Sequence, residues 1–375
     1  MARLTHQGVI KHVVSVSGGK DSTATLLIAL GRFGRGRVTP IFCDTGNEHS
    51  LVHKHLEYLE KALDIEIVRL QANFDAEIAT KRQFVARDQR TGRDYDTALV
   101  FDGDGNPVPR RDGRGNIVTK KAKRNGVEVL EPVQKTRKVG GGHRIRWSNK
   151  AKRRALSALH PTGNPFLDLC LWKGRFPSRK AQFCTEELKR NIAVAYQLNL
   201  IDQGYTVVSW QGVRRDESMN RRGAKLFERI GPSFYIYRPI VEWDASQVFA
   251  SIKAHNLEHN PLYLQGFSRV GCMPCINCSK EEIRTIMVRA PEHLAEKERW
   301  ETLVSMCSKR GFGTFFYKEL HKNANAGIMD MHVHKMNNIG AVKEWAKTTR
   351  GGRQFDLLLD VDESSACSSA YGLCE

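Results

Sequence analysis

The 375-residue sequence lacks the long hydrophobic runs of membrane proteins. It has no run of 18 apolar residues, and its first residues, Met1–His6, carry no apolar secretory segment. These absences predict a cytoplasmic protein with no membrane partner. Hydrophobic residues still make up 41% of the chain, which is enough for a substantial core, and the length suits two domains or one large domain with insertions.

A glycine-rich stretch near the N-terminus lacks the G-x-x-x-x-G-K-[ST] spacing of ordinary NTPase loops. It reads Ser-Gly-Gly-Lys-Asp-Ser at Ser17–Ser22, after the apolar run Val13–Val16 and before apolar residues at helical spacing over Thr23–Leu30. A strand–loop–helix turn of this kind directs backbone N–H groups and the positive end of the helix dipole at one point. The stretch therefore predicts an anion-binding site.

The side chains of this stretch suit a nucleotide with its magnesium ion. We expect Gly18 and Gly19 to fold the backbone tightly around a phosphate. Lys20 can neutralise the phosphate, and Asp21 can hold Mg²⁺. Ser17 and Ser22 can donate hydrogen bonds to phosphate oxygens.

Strand and helix patterns alternate over the first 70 residues. Predicted strands at Val38–Cys43 and Ile65–Leu70 flank a predicted helix near Ser50–Leu63. This order favours an α/β fold with a doubly wound, mostly parallel sheet. Ligands bind such sheets at the carboxyl ends of the strands. We therefore expect Asp44 and Gly46, which follow the second strand, to meet the glycine loop over one nucleotide.

Another polar, charged loop follows a predicted strand at Thr206–Trp210. It contributes four candidate nucleotide-binding residues, namely Arg214, Glu217, Ser218 and Arg221. Arginine binds phosphates bidentately, so we expect the two arginines to clamp phosphate groups.

The composition divides the chain into four segments. The nucleotide-binding α/β domain is predicted in two parts, 1–80 and 161–265, separated by a basic insertion at 81–160. A helical, cysteine-bearing C-terminal region spans 266–375. The insertion is rich in turn sequences, which predict either a small β-hairpin subdomain or a segment that is disordered when unbound.

The net charge of +18 is concentrated in the insertion. Lys81–Arg154 contains 21 lysines and arginines against eight aspartates and glutamates, whereas the remainder of the chain has 38 against 33. Such a basic segment predicts contact with a nucleic acid, either DNA or tRNA. The alternative is a solvated surface insertion that keeps the protein soluble.

The sequence contains nine cysteines. In a protein predicted to be cytoplasmic, they favour metal, redox or catalytic roles over disulfides. Cys272, Cys275 and Cys278 have C-x₂-C-x₂-C spacing, which lets three thiolates converge on one metal centre. We expect Cys184 as the fourth ligand, with Cys170 as the alternative. Four thiolates suit a 4Fe-4S cluster, which we prefer, or a structural Zn²⁺.

The small, polar residues around Cys367 and Cys374 form an unusual C-terminal sequence. Two cysteines there can act as a mobile thiol pair in sulfur transfer or redox chemistry. A frayed terminus with incidental thiols explains them equally well.

Together these motifs resemble the phosphoadenylyl-sulfate (PAPS) reductase family of the PP-loop, adenine nucleotide α-hydrolase-like superfamily. The resemblance rests on Ser17–Ser22, Asp44–Gly46, Gly212–Arg221, Asn260–Cys275 and the C-T-x-x-L-K-like Phe183–Lys189. It implies the α/β fold of that superfamily, a nucleotide bound at the glycine loop, and sulfur or adenylyl chemistry.

Three departures separate the chain from the true PAPS reductases that it resembles. Those enzymes have a degenerate glycine loop, whereas Lys20 and Asp21 are both present here. They use a cysteine in a C-terminal E-C-G-x-H segment, whereas this chain ends with Tyr371–Glu375. A basic insertion also has no purpose on a small nucleotide alone. In these respects the chain is similar to the ATP pyrophosphatases of DNA phosphorothioation and to the tRNA thiolases.

The leading hypothesis is an enzyme that binds Mg·ATP, adenylates a substrate oxygen with release of pyrophosphate, and supports sulfur transfer with a sulfur-donor protein. Its catalytic residues would be Lys20, Asp21 and Arg214. The second hypothesis is a sulfonucleotide reductase in which Cys374 or Cys367 attacks sulfur. The third, from another class, is a non-catalytic protein that binds a nucleotide and a nucleic acid.

Overall fold

The computed structural model describes residues 8–124, 127–316, 335 and 337–348. The chain divides into two compact units, one formed by Met1–Gln83 with Arg153–Glu375 and the other by Phe84–Lys152. The four segment boundaries expected from composition remain predictions. Within the described residues, no helix has the length and apolar character needed to cross a membrane.

The secondary structure alternates strands and helices through most of the first unit. In chain order the strands are β1 (Ile10–Ser15), β2 (Val38–Asp44), β3 (Val68–Gln71), β4 (Arg93–Leu99), β5 (Thr119–Arg124), β6 (Val127–Pro132), β7 (Thr136–Arg144), β8 (Thr206–Trp210), β9 (Phe227–Gly231) and β10 (Phe234–Tyr237). The longer helices are α1 (Lys20–Phe33), α2 (Ser50–Leu63), α3 (Asp75–Arg87), α4 (Asn149–Ala158), α5 (Pro165–Lys173), α6 (Asn191–Asp202), α7 (Ala245–Ala254), α8 (Lys280–Arg289), α9 (Pro291–Cys307) and α10 (Ile339–Lys347).

A six-stranded sheet forms the centre of the first unit, in the order β3-β2-β1-β8-β10-β9. Every pairing is parallel except that of the edge strand β9 with β10. Successive strand residues point to opposite faces, and both faces are buried. Val13 packs with Ala193 of α6, whereas Val14 packs in the cluster that contains Leu26 of α1. Helices thus cover both faces, and the predicted doubly wound, mostly parallel α/β sheet is confirmed.

One predicted strand begins later than expected. The sequence predicts a strand at Ile65–Leu70, but β3 starts at Val68. The preceding residues are held by the end of α2, because Ile65 donates its N–H to the carbonyl of Glu60 at 3.1 Å and Ile67 donates to the Glu60 carboxylate at 2.7 Å. These N–H groups therefore cannot join the sheet.

The parallel strands bring three loops to one edge of the sheet. Strands β1, β2 and β8 are adjacent and run in the same direction, so their carboxyl ends lie side by side. The loops that follow them contain the glycine-rich stretch, the segment after Asp44 and the segment after Trp210. This edge is where ligands bind in parallel sheets.

The second unit is built from antiparallel strands, with β4 paired to β7 and β5 paired to β6. Two turns of this unit have the same hydrogen-bond pattern. Asp102 accepts hydrogen bonds from the backbone of Asp104 and Asn106 at 3.1 and 2.8 Å, and Asp112 accepts from Arg114 and Asn116 at 2.9 Å each. Asx turns of this type stabilise tight reversals of the chain.

Candidate nucleotide site and cysteine cluster

The glycine loop requires glycine at its first turn. Gly18 has a φ of +77°, in the left-handed region that side chains disfavour, and a Cβ there would lie 3.2 Å from Cγ1 of Val52. The side chain of Asn260 closes the loop by donating to the Gly18 carbonyl at 3.1 Å. The chain can therefore turn directly from β1 into α1.

Two serine hydroxyls line the inside of this loop. Ser17 Oγ and Ser22 Oγ are 3.1 Å apart, and Ser22 Oγ also accepts from the backbone N–H of Ser17 at 3.1 Å. The loop ends at the N-terminus of α1, where the helix dipole favours negative charge. Hydroxyls and a helix N-terminus are the groups from which the sequence predicts an anion-binding site at this loop.

Asp21 is fully buried and is held by two cations. Its Oδ1 lies 2.5 Å from Nε of Arg214, and its Oδ2 lies 3.1 Å from the ammonium of Lys20. Arg214 is itself only 4% exposed and also contacts Asp216 at 2.5 Å. The three predicted catalytic residues of the α/β unit, Lys20, Asp21 and Arg214, thus form one charged network beneath the loop.

Gly212 allows the loop after β8 to approach this network. A Cβ on Gly212 would lie 2.8 Å from the carbonyl carbon of Asp21 and 2.9 Å from the backbone nitrogen of Ser22. No side chain fits at such distances. The absence of a side chain therefore lets Arg214, two residues later, reach Asp21.

The segment after β2 is also fixed at the edge of the sheet. Asp44 accepts the N–H of Gly46 at 2.9 Å, and Asn164 donates to the Gly46 carbonyl at 2.7 Å. Gly46 has a φ of +73°, and a Cβ there would lie 2.8 Å from Cδ of Pro165. Both predicted residues of this segment, Asp44 and Gly46, therefore have defined positions beside α5.

The remaining predicted nucleotide-binding residues lie in two short 3₁₀ turns, Arg215–Glu217 and Met219–Arg221. Glu217 and Arg221 form an ion pair in which the arginine is largely buried. Ser218 joins the two turns, and its carbonyl accepts the N–H of Arg221 at 3.0 Å. The structure therefore pairs Glu217 with Arg221, whereas Arg214 joins Asp21.

A cleft of about 580 Å³ opens at the carboxyl edge of the sheet. Its lining residues come from the ends of β1 and β2, from the loops that follow β1, β2 and β8, from the first turn of α1 and from two more distant segments: Ser15, Val16, Ser17, Ser22, Ile41, Phe42, Cys43, Glu48, Lys189, Gly212 and Gly271. Ser17 and Ser22 are the predicted nucleotide-binding residues in this lining. Glu48 and Lys189 add a carboxylate and a cation that were not among the predicted site residues.

Both additional residues lie in or next to segments that carry the family resemblance. Glu48 follows the Asp-Thr-Gly turn, and its carboxylate accepts from the hydroxyl of Thr45 at 2.7 Å and from the N–H of Asn47 at 3.2 Å. Lys189 ends the C-T-x-x-L-K-like segment, within a π-helical stretch. A charged side chain within the loop after β2 or within the C-T-x-x-L-K-like segment is the sequence signal that could have identified Glu48 and Lys189 as site residues.

The cysteines form a second site beside the cleft. Cys184, Cys272 and Cys275 line a pocket of about 410 Å³, and Lys189 lines this pocket as well as the cleft. Cys278 is buried next to it and accepts the N–H of Cys275 at 3.2 Å. The four predicted metal ligands are therefore brought together from two distant parts of the chain.

Burial favours the protonated form of three of these cysteines. It raises the pKa of Cys272 to about 11, and it raises the pKa of Cys184 and of Cys278 above the ordinary value of a thiol. A metal centre binds thiolates and displaces these protons. Sulfur donors at C-x₂-C-x₂-C spacing with a fourth cysteine nearby fit an iron–sulfur cluster or Zn²⁺. Cys170, the alternative ligand, is fully buried in the main core.

The segment that carries the cysteines is bonded to the loop after β2. Met273 donates its N–H to the carbonyl of Asn47 at 2.7 Å, and Asn47 donates its side-chain N–H to the carbonyl of Pro274 at 3.0 Å. The thiol of Cys272 lies 3.6 Å from the Glu48 carboxylate. The cleft and the cysteine cluster are therefore in direct contact.

Another group of metal-ligand side chains does not fit a metal as it stands. Ligand atoms of His49, Glu292 and His293 lie within 4.8 Å of one another. However, Nδ1 of His49 accepts the N–H of Leu51 at 3.0 Å, which leaves the proton of the neutral ring on Nε2. His49 therefore acts as the N-cap of α2.

The predicted catalytic Cys374 lies outside the described residues.

Comparison with protein families identifies the α/β unit. The model of the phosphoadenosine phosphosulfate reductase domain matches residues 11–95 and 167–278, which is more than half of the chain. The match includes the glycine loop, the cleft and the cysteine segment, and it omits most of the basic second unit.

Individual relatives show different degrees of similarity. An uncharacterized 37.8 kDa protein of Escherichia phage 186 is 38% identical over 97% of this chain and 96% of its own length. An uncharacterized protein of Methanocaldococcus jannaschii is 23% identical over 80% of this chain but 43% of its own length. Adenosine 5'-phosphosulfate reductase of Neisseria meningitidis is 40% identical over 76 residues, 20% of this chain and 31% of that enzyme.

A solved structure of phosphoadenylyl-sulfate reductase from Candida auris, in a phosphate complex, covers 70% of this chain and 81% of its own. Its TM-score is 0.33 and its identity is 13%. The family model, in contrast, matches more than half of the chain, including all the residues that line the cleft. The chain belongs to the phosphoadenosine phosphosulfate reductase domain family.

Proposed function

We propose that this protein is an ATP pyrophosphatase that adenylates an oxygen of a nucleic acid and supports the transfer of sulfur to it. The observation that carries the proposal is the complete Ser-Gly-Gly-Lys-Asp-Ser loop at the N-terminus of α1, with Ser17 and Ser22 lining the cleft. A helix N-terminus with a lysine is suited to the phosphates of ATP, which would enter as its magnesium complex.

The proposed reaction has two displacement steps. An oxygen of the acceptor attacks the α-phosphorus of ATP, and the bond from that phosphorus to the oxygen bridging to the β-phosphate breaks. Pyrophosphate leaves, and the acceptor oxygen carries AMP. A sulfur nucleophile from a donor protein then displaces AMP, which is a better leaving group than the unmodified oxygen.

The loop and two lysines would stabilise the charge that develops on pyrophosphate. Backbone N–H groups at the start of α1 and the Lys20 ammonium supply positive charge in fixed positions. Lys189 lines the cleft together with Ser17 and Ser22 and adds a second cation. Removing one donor of this type commonly raises the activation barrier by about 3–4 kcal/mol.

Asp21 and Arg214 would act at the base of the loop. Asp21 would hold Mg²⁺, and Arg214, which contacts the Asp21 Oδ1, would keep this carboxylate in position as well as face phosphate. The rest of the nucleotide-binding wall comprises the residues predicted from the other loops, which are Gly18, Gly19, Asp44, Gly46, Glu217, Ser218 and Arg221.

Cys184, Cys272, Cys275 and Cys278 would hold a 4Fe-4S cluster, with Zn²⁺ as the alternative. Such a centre supplies sulfur chemistry or electron transfer when it contains iron, and it fixes the fold in either case. Since Cys272 contacts Glu48 in the cleft, these residues also orient the wall of the nucleotide site.

The basic second unit would bind the nucleic acid. Phe84–Lys152 contains 17 lysines and arginines against eight aspartates and glutamates. On β7, Arg137 and Lys138 are both exposed. Neutralisation of phosphates by such residues gives an affinity that falls steeply with salt concentration.

A second candidate is reduction of a sulfonucleotide. The observation in its favour is the local similarity to adenosine 5'-phosphosulfate reductase of Neisseria meningitidis. In this candidate Cys374 or Cys367 would attack the sulfur of the bound nucleotide, and a thiol reductant such as thioredoxin would release sulfite.

One set of assays separates these functions. The purified protein is incubated with labelled ATP, with and without DNA or tRNA, and in parallel with a sulfonucleotide and thioredoxin. AMP and pyrophosphate that increase with a nucleic acid support the proposal. Sulfite release without pyrophosphate supports the reductase. Binding of ATP with neither product indicates a non-catalytic protein.

A further inference from the structure

A tyrosine from a distant segment contacts the first residue of the phosphate-binding helix. Tyr263 lies 243 residues after Lys20, yet its hydroxyl oxygen accepts the backbone N–H of Lys20 at 3.0 Å. The ammonium of Lys20 also lies 5.7 Å from the centre of the Tyr263 ring. Both the backbone and the side chain of Lys20 therefore face this tyrosine.

The position of Tyr263 is fixed by the turn in which it stands. Asn260 caps the short helix Pro261–Leu264 by accepting the N–H of Leu262 at 3.0 Å, and it donates to the Gly18 carbonyl with its other side-chain atom. Leu262 is fully buried in the main core. The ring of Phe249 packs edge-on against Tyr263 with centres 5.5 Å apart. This turn is therefore held to the glycine loop at two points.

Tyr263 is the third hydroxyl that accepts a backbone N–H of the loop and of the first residue of α1. Ser22 Oγ accepts the N–H of Ser17 at 3.1 Å, and Ser17 Oγ accepts the N–H of Gly19 at 3.4 Å. A hydroxyl that accepts from a backbone N–H keeps a hydrogen of its own, which rotates to suit a further partner. Hydrogen bonds from hydroxyls to charged phosphate oxygens are short and strong.

We propose that the Tyr263 hydroxyl is a phosphate ligand of this site, donating to the anion held at the N-terminus of α1. Its N–H contact with Lys20 orients the hydroxyl oxygen, and the ring keeps the Lys20 ammonium beside the same anion. The assignment of ATP as the bound anion rests on the proposed function. The phosphate contact itself is a property of the loop and can be measured with pyrophosphate alone.

The test compares Tyr263→Phe with a matched control. Tyr58→Phe also removes a hydroxyl that accepts a backbone N–H, that of Glu258 at 2.9 Å, but on α2 and away from the glycine loop. Binding of pyrophosphate, ATP and adenosine is measured by calorimetry on the full chain, together with the melting temperature of each variant.

We expect Tyr263→Phe to raise the Kd for pyrophosphate and for ATP roughly tenfold, the loss expected for a hydrogen bond to a charged group. Adenosine affinity should stay unchanged, and Tyr58→Phe should bind all three as the wild type does. A lower melting temperature with unchanged Kd for pyrophosphate would overturn the proposal, because Tyr263 would then only support the helix. Wild-type protein that binds pyrophosphate but not ATP would contradict the proposed function and leave this contact standing, whereas binding of neither would contradict both.

Discussion

The guanidinium of Arg214 and the carboxylate of Asp21 meet at 2.5 Å beneath the glycine loop, although 193 residues separate them in the sequence. Both side chains are buried, so their charges interact in a medium of low dielectric. The pair joins the loop after β8 to the first turn of α1. The position of α1 and of the glycine loop before it thus depends on a contact between the two halves of the α/β unit.

Removing one charge of this pair should destabilise the fold strongly. Asp21→Asn leaves the buried guanidinium of Arg214 without its main counter-charge, and breaking a buried pair in this way costs about 3–5 kcal/mol. Urea unfolding measures the loss. Asp64→Asn is the control, because Asp64 pairs with Arg35 on the surface and should cost less than about 1 kcal/mol. Equal, small losses in both variants would contradict the role given to Asp21.

Gly212 should tolerate no side chain. Gly212→Ala would put a Cβ 2.8 Å from the Asp21 carbonyl carbon, and overpacking of this kind destabilises by about 1–3 kcal/mol. Because α1 must shift to relieve the contact, pyrophosphate binding should weaken as well. Gly223→Ala is the control, since a Cβ there meets no atom within 4 Å. Unchanged stability and binding in Gly212→Ala would show that the approach is looser than described.

The sequence predicts local features of this protein better than its long-range contacts. Helix α2 was expected near Ser50–Leu63 and spans those residues, because its apolar stripe is a property of neighbouring positions. At the start of α7, Asp244 forms a capping box with Gln247, three residues later in the sequence. Such signals lie within one turn of the residues they define.

Contacts between distant segments could not be predicted from these patterns. The sequence gives no sign that Arg214 meets Asp21, that Tyr263 reaches Lys20, or that Lys189 faces both the cleft and the cysteines. Each depends on how strands and helices pack, and their order in the sheet is not encoded in hydrophobic periodicity. The late start of β3 has the same origin, because Glu60 takes hydrogen bonds that a strand would otherwise use.

A buried carboxylate predicts how stability depends on pH. Burial raises the pKa of Glu301 to about 7, although it accepts the N–H groups of Phe315 and Ile339 at 2.8 and 3.1 Å. The folded chain then binds the proton of Glu301 more tightly than the unfolded chain does. The protonated carboxyl therefore makes its full contribution to the free energy of unfolding below pH 4.5, and this contribution is lost as the pH rises to 7.

We therefore expect the free energy of unfolding to fall between pH 5 and pH 8 by roughly 2 kcal/mol more in the wild type than in Glu301→Gln. Urea unfolding at the two pH values measures this difference. Glu298→Gln, on the same helix, is the control, because Glu298 is more exposed and pairs with Lys343. Parallel pH profiles for the wild type and Glu301→Gln would contradict the prediction.

Removing one of the four clustered cysteines should lower the metal content of the protein. Protein purified without oxygen should contain metal, and Cys275→Ser should lower that content at least tenfold because a thiolate ligand is lost. A visible absorption band in the wild type would identify an iron–sulfur cluster, and zinc without colour would identify the alternative. Cys307→Ala is the control, since Cys307 is buried elsewhere on α9. Equal metal content in both variants would rule out the proposed ligand set.

In the proposed function, the glycine loop binds ATP and promotes cleavage between its α and β phosphates. Incubation of the protein with α-labelled ATP, magnesium and a nucleic acid measures this cleavage. We expect labelled AMP from the wild type and from Lys54→Ala, which replaces an exposed lysine on α2. We expect AMP formation to fall about a hundredfold or more in a folded Lys20→Ala protein. Labelled ADP as the product, or equal AMP formation by Lys20→Ala, would show that the loop does not have this role.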